Sequence, residues 1–382
     1  MKRIFLLLLC MTLLMLTACA DRRDAVSIPS TNASEAETEA PSQITDYAVP
    51  EETTDPLIAV SVPLTTDSYH TDDGSDLFSY SYQHMSLTFP DPDVAHKVTL
   101  EFLNRVDTTQ TEANNALDIA RYDYQQAEAW TPYFYRVIYN PKRIDHSVLS
   151  LFGMQSSYSG GMHADISGIA ANYDMLTGDV LTFGSIMHPE AQKEEFILLV
   201  LSKLEEEKDQ LYLYDDYEQA VRQRLEGDEN LFEDFYFTTT GLNFFFSPYE
   251  IAPYSSGIVT VEIPYNELPG LLFDDYFPAE RQIVDGSLNT ETLEDLSQYN
   301  NMVEVILDDE DKKIAIYPEG TVEDIQFIIA GDRVSIPEYT VFMAFELSGR
   351  DAVLLYGTED HINNMTITYH AGNENHMISI DA

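Results

Sequence analysis

The chain has 382 residues, with 20 Lys or Arg against 66 Asp or Glu and a formal net charge of −46. That surface repels nucleic acid and anionic lipid, which sets both aside as partners. It either steers cationic partners inward or reflects a general acidic bias of the source proteome.

The first elements read as an export signal. Met1-Lys2-Arg3 is followed by an apolar run over residues 4–16 and then Leu16-Thr17-Ala18-Cys19. A basic start, a short apolar core and a small-residue cleavage site make a secretory signal, too short to span a bilayer as a mature helix. The Leu-x-Ala-Cys ending resembles a bacterial lipobox, so residues 1–18 are expected to be removed and Cys19 to carry lipid. That places the mature protein outside the cell, anchored to the outer face of the cytoplasmic membrane. Cys10 and Cys19 are the two cysteines. With one cleaved off and the other acylated, thiol catalysis, disulfides and cysteine-bound zinc drop out. Losing Lys2 and Arg3 leaves 18 basic against 66 acidic residues, or −48.

Residues 19–56 are rich in Ser, Thr, Ala, Pro and acids and poor in large apolar side chains, the composition of a disordered tether. An α+β domain is expected over 57–275. Alternation over 77–82 and 85–89 predicts strands. Asp91-Pro92 is a cap followed by a first-turn proline, and Val94, Val98, Phe102 and Val106 then recur every four residues. This predicts one long helix to about residue 129, with a possible break at Thr108-Thr109. Strands are expected over 133–139, 147–154, 166–173 and 180–183, with Gly178 turning the last two. Pro189 is expected to open a second helix and 212–225 to form a third. A hairpin over 235–246 and a strand over 258–263 follow. Antiparallel hairpins with a few helices argue for a mixed or antiparallel sheet in an α+β fold.

Residues 276–300 read as a linker. Beyond them, strands are expected over 303–307, 313–317, 325–329, 341–347, 353–356, 365–369 and 377–380, suggesting a small all-β sandwich over 301–382.

Two stretches carry candidate chemistry. Tyr158-Ser159-Gly160-Gly161-Met162-His163 is either a turn between strands or a loop that turns an aromatic and an imidazole towards a ligand. Ser247-Pro248-Tyr249-Glu250-Ile251-Ala252-Pro253-Tyr254 is a rigid connection, either packed on the core by its tyrosines or open as a binding site. Tyr158, Gly160, Gly161, His163, Tyr249, Glu250 and Tyr254 are therefore the candidate ligand-binding residues. The acidic runs at Asp308-Asp309-Glu310-Asp311 and Tyr214-Asp215-Asp216 suit weak calcium binding or plain solvated turns, and neither has the spacing of a dedicated loop. No Gly-x-Ser-x-Gly elbow is present. No metal, cofactor or catalytic residue is expected.

Ser159-Gly160-Gly161-Met162-His163, Asn172-Tyr173-Asp174 with Leu176-Thr177-Gly178, the hairpin from Phe235, and Ser247 to Tyr254 with Gly257 together resemble one family. It is the RsiV-like extracytoplasmic domain, shared by RsiV-type anti-sigma factors and the non-catalytic part of PdaC-type peptidoglycan deacetylases. The resemblance covers residues 75–275. It implies an α+β fold and a non-enzymatic role in envelope binding or sensing; in RsiV-type proteins the domain captures lysozyme, a cationic enzyme. No sigma-binding segment or deacetylase domain is read here, so ligand capture at the surface is what carries over. The partner expected is lysozyme, another cationic protein, or peptidoglycan. A peptidoglycan-active enzyme or accessory, and a structural or adhesive lipoprotein, are the alternatives.

Overall fold

A computed structural model describes residues 57–227, 232–278, 288–291, 301–306, 312–318, 322–330, 338–347, 351–357, 365–371 and 374–380. Cys19, the tether and the acidic run at 308–311 lie outside the described residues.

The N-terminal strands are β1 (Ala59–Ser61), β2 (Leu64–His70), β3 (Asp76–Gln83) and β4 (Ser86–Thr88), followed by helix α1 (Pro92–Tyr124). Asp91 caps α1 as its sequence suggests, its carboxylate accepting from the backbone N–H of Asp93 (2.9 Å) and Val94 (3.3 Å). Val94, Val98, Phe102, Val106, Ala113, Leu117 and Ala120 are its buried face. The helix runs unbroken through Thr108 and Thr109. Their hydroxyls fold back onto the carbonyls of Asn104 and Val106, so they bond within the helix instead of opening it.

Strands β5 (Tyr133–Ile144), β6 (Val148–Tyr158) and β7 (Asp165–Asp174) complete a five-stranded sheet of order β2-β3-β5-β6-β7. Only β3 and β5 in this sheet run parallel, because α1 carries the chain back between them. α1 packs on this sheet through Phe102, Val98 and Leu117 against Tyr139, Leu149 and Leu151 in one core.

A second layer begins with α2 (Phe183–Ile186), α3 (Lys193–Leu211) and α4 (Tyr217–Leu225). The strand expected over 180–183 reduces to a single bridge between Val180 and Tyr173, and Phe183 opens α2 instead. α3 starts four residues after Pro189, and it ends where Tyr212 turns left-handed (φ 54°), which delays α4 to Tyr217. Strands β8 (Phe235–Phe237), β9 (Gly241–Phe246) and β10 (Val259–Pro264) form a three-stranded antiparallel sheet in the order β10-β9-β8. Its core is aromatic: Phe183 meets Phe196, Phe235 and Phe244 at centroid distances of 5.0, 6.4 and 5.5 Å. Ser150 and Asn172 tie this sheet to β6 and β7. The Phe237 N–H donates to Ser150 Oγ (2.8 Å), and Asn172 Nδ2 donates to the Phe235 carbonyl (2.7 Å). On the far side Phe152 stacks on Tyr236 at 4.2 Å, and a Cβ at Gly168 would lie 2.5 Å from the Phe245 ring, so the close approach requires glycine.

After these come β11 (Leu288–Glu291), β12 (Asn301–Ile306), β13 (Lys312–Pro318), β14 (Val322–Ile329), β15 (Tyr339–Leu347), β16 (Asp351–Gly357), β17 (Met365–Ala371) and β18 (Glu374–Ile380). Each C-terminal stretch in which the sequence predicts a strand holds one within its described residues, and β11 falls inside the stretch read as a linker, 276–300. They form a four-stranded sheet, β11-β13-β16-β12, and a six-stranded one, β18-β17-β14-β15-β1-β4. The six-stranded sheet takes strands from both ends of the chain. β1 lies between β15 and β4, with Ala59 opposite both Ala344 and Thr88. Ile58, Ala59, Val60, Ser61 and Val62 are all at most 3% exposed. Asn140 Oδ1 also accepts from the Thr340 N–H (2.7 Å), joining β5 to β15. The fold is thus α+β with β-rich C-terminal sheets, one of which is completed by β1 and β4 from the start of the stretch expected to form the α+β domain, 57–275.

Candidate binding surface

The loop joining β6 to β7 is shaped by two glycines. Gly160 (φ 91°) and Gly161 (φ 109°) occupy backbone conformations that L-residues rarely adopt, and a Cβ on Gly160 would meet Tyr133 Oη at 2.8 Å. Tyr158 Oη donates to the Gly161 carbonyl (3.2 Å) and holds the loop's base. The loop presents Met162 fully to solvent, at 101% exposure, and His163 beside it is also exposed.

The connection from β9 to β10 comes up against this loop. Ser247 Oγ accepts from the Gly168 N–H (3.1 Å), and Tyr254 Oη donates to the Ala164 carbonyl (2.8 Å). The His163 ring stacks on Tyr254 with centroids 4.1 Å apart and planes 28° from parallel. Tyr249 lies 5.8 Å from Tyr254, and its hydroxyl is 3.5 Å from His163 Nε2. Burial and the neighbouring Tyr249 and Asp165 charges raise the Tyr254 phenol above its ordinary pKa, so the ring stays neutral.

Tyr249 is held in the left-handed region at φ 72° and remains 59% exposed. For a bulky residue this conformation costs on the order of 1–2 kcal/mol. Its N–H donates to the Ala252 carbonyl (2.9 Å), fixing the turn. Glu250 acts inside the same turn. One carboxylate oxygen accepts from the Ser247 N–H (2.7 Å) while the other lies 3.8 Å from Arg224 Nε. Arg224 is in turn paired with Asp234.

The sequence-predicted residues therefore divide. His163 and Tyr249, both exposed, meet the half-buried Tyr254 in one cluster although 86 positions separate Tyr249 from His163. Gly160 and Gly161 shape the loop that carries it. Glu250 positions its own turn. Tyr158 supports the loop from its base, its ring packed 5.8 Å from Tyr133 and 6.0 Å from Phe134. Met162, between two glycines and His163, is an apolar side chain left fully exposed on the same loop. The cluster offers ring faces, an imidazole nitrogen and a thioether, a set suited to contact with another molecule. Among the described residues, no group of three or more His, Cys, Asp or Glu is placed to hold a metal ion. No described helix is long and apolar enough to cross a membrane.

Residues 186–266 match the family described as DUF3298, a protein of unknown function. The matched segment runs from the end of α2 to the turn after β10, so it contains Tyr249 and Tyr254 while His163 precedes it. No curated protein matches the chain. Among solved structures, a DUF3298 family member from Bacteroides fragilis is similar at 16% identity and a TM-score of 0.45, covering 58% of this chain and 95% of its own. A DUF3298 family protein from Pseudomonas aeruginosa PAO1 is similar at 17% identity and a TM-score of 0.42, covering 59% and 99%.

Proposed function

We propose that this chain is a surface lipoprotein, anchored through acylated Cys19, whose α+β domain captures a cationic protein without acting on it. Lysozyme is the specific ligand that the RsiV-like elements suggest. The observation that carries the reading is the cluster of Met162, His163, Tyr249 and Tyr254, in which a solvent-exposed tyrosine is kept in a costly backbone conformation. Strain at an exposed residue is kept where the surroundings enforce it, and such residues concentrate at ligand contacts. Large aromatic side chains are the usual energetic anchors of protein interfaces. The formal charge of −46 supplies long-range attraction for a basic partner.

A pull-down of lysozyme at physiological salt tests this. Wild-type protein is expected to retain it at micromolar concentration, less as salt rises, because attraction between exposed charges is screened. The double variant His163→Ala/Tyr249→Ala is expected to release it. No retention by the wild-type protein would remove lysozyme as the ligand.

A further inference from the structure

The turn between α1 and β5 carries Trp130, the chain's one tryptophan. Its indole N–H donates to the Asp76 carbonyl (3.1 Å), Tyr133 lies 4.6 Å from its ring, and Tyr124 meets it edge-on at 5.5 Å. These contacts hold the indole in place yet leave it half-buried, lining an open cleft of about 630 Å³ together with Ser75, Asp76, Tyr124 and Glu128.

The Ser75 hydroxyl and the Gln125 amide of this cleft can donate and accept, but its charge is one-sided. The Asp76 side chain is 74% exposed, Glu128 is exposed, and no Lys or Arg lines the cleft. His70, 2.9 Å from Asp76, is the titratable base beside them. Behind Tyr124, whose hydroxyl lies 3.5 Å from it, Asp73 is held below the usual carboxylate range by hydrogen bonds from Thr71 and Ser75. Ionised carboxylates accept hydrogen bonds and donate none. An ammonium or guanidinium carries donors only, and an indole is the best of the aromatic rings for a cation.

We propose that the Trp130 cleft is a docking site for a cationic side chain, arginine or lysine, of a bound protein. The proposal rests on the domain being a receptor for a basic protein, and it adds a contact separate from the His163–Tyr249 cluster. The two are joined through the fold: Tyr133 touches both Trp130 and Tyr158, and Tyr158 holds the Gly161 carbonyl at the base of the loop that carries His163. A partner that reaches both places meets an apolar, aromatic contact at one and an acidic aromatic cleft at the other.

Because the chain has a single tryptophan, its one indole N–H resonance in a ¹⁵N-labelled sample reports on this cleft alone. Titration of the full chain with N-acetyl-arginine amide is expected to shift that resonance saturably, and the lysine analogue to do likewise. The neutral citrulline analogue is expected to leave it in place. Asp76→Asn/Glu128→Gln is expected to weaken the response roughly tenfold or more, whereas His163→Ala/Tyr249→Ala leaves it unchanged. An equal shift with citrulline, or no shift with either cation, overturns the proposal. If lysozyme is still captured through His163 and Tyr249 while the indole stays silent, the cleft is removed and the receptor reading stands.

Discussion

Tyr249 separates stability from function at a single position. Glycine tolerates φ 72° without the Cβ penalty, though it costs more entropy on folding. Tyr249→Gly is therefore expected to raise stability by about 0.5–1 kcal/mol in urea denaturation while weakening ligand capture. A loss of stability there would show that the ring is part of the packing. Gly160→Ala has the opposite sign, since its added methyl meets Tyr133 Oη and sits in a left-handed conformation; about 1–2 kcal/mol of destabilisation is expected. Deeper in, Arg143 is 1% exposed, pairs with Asp145 at 2.6 Å, and donates to Tyr265 Oη (2.7 Å) and the Tyr276 carbonyl (2.6 Å). Arg143→Ala strands the Asp145 carboxylate and is expected to cost about 3–5 kcal/mol by the same measurement. At the surface, hydrogen bonding from Lys97 holds the Asp179 carboxyl below its ordinary range. A carboxylate depressed in the folded state stabilises above its unfolded pKa, and that contribution fades as pH falls through the lowered folded value. An NMR titration of Asp179 is expected to show an acid-shifted midpoint that moves back towards the ordinary value in Lys97→Met, the Thr177 hydroxyl retaining part of the shift. At this scale the glycine pair and the Pro-Tyr segment were legible as unusual residues. Their meeting was not, because stacking between His163 and Tyr254 depends on a register that no local pattern encodes. Trp130 left no periodic signal, and its role emerges only once β3 and α1 flank it.

Among the elements, α1 was the most legible. Its cap, first-turn proline and four-residue repeat are all local signals, and local signals are what a sequence displays directly. The helix continues through Thr108-Thr109, whose hydroxyls bond back to carbonyls of the preceding turn. The C-terminal strands were legible one by one through alternation and turns. Their partner was not: β1 is three residues long, and Ala-Val-Ser does not announce pairing with a strand 283 residues later, a span set by Val60 opposite Met343 and closed only in three dimensions. That pairing makes the C-terminal sheet depend on the first described residues. Val60 is fully buried between β15 and β4. Val60→Asp places an unpaired charge there, at a cost of several kcal/mol. Limited proteolysis of this variant is expected to cut first within residues 301–382. If those residues stayed as protected as in the wild-type chain, the six-stranded sheet would not need β1.

The whole molecule combines a strongly acidic surface with an expected lipid anchor, and each property makes its own demand. Cys19→Ala is expected to move the protein from the membrane fraction to the soluble one; retention in the membrane would remove the anchor. The α+β class followed from hairpins and helices together, and the charge was plain from composition alone. Ligand identity was not, since the proposed capture surface is assembled from distant loops. Calorimetric titration of lysozyme into the wild-type chain and into Tyr249→Ala therefore addresses the central claim directly. Saturable binding by the wild type, weakened at least about tenfold in Tyr249→Ala, is the result expected. Equal binding by the two chains, or none by the wild type, would contradict it.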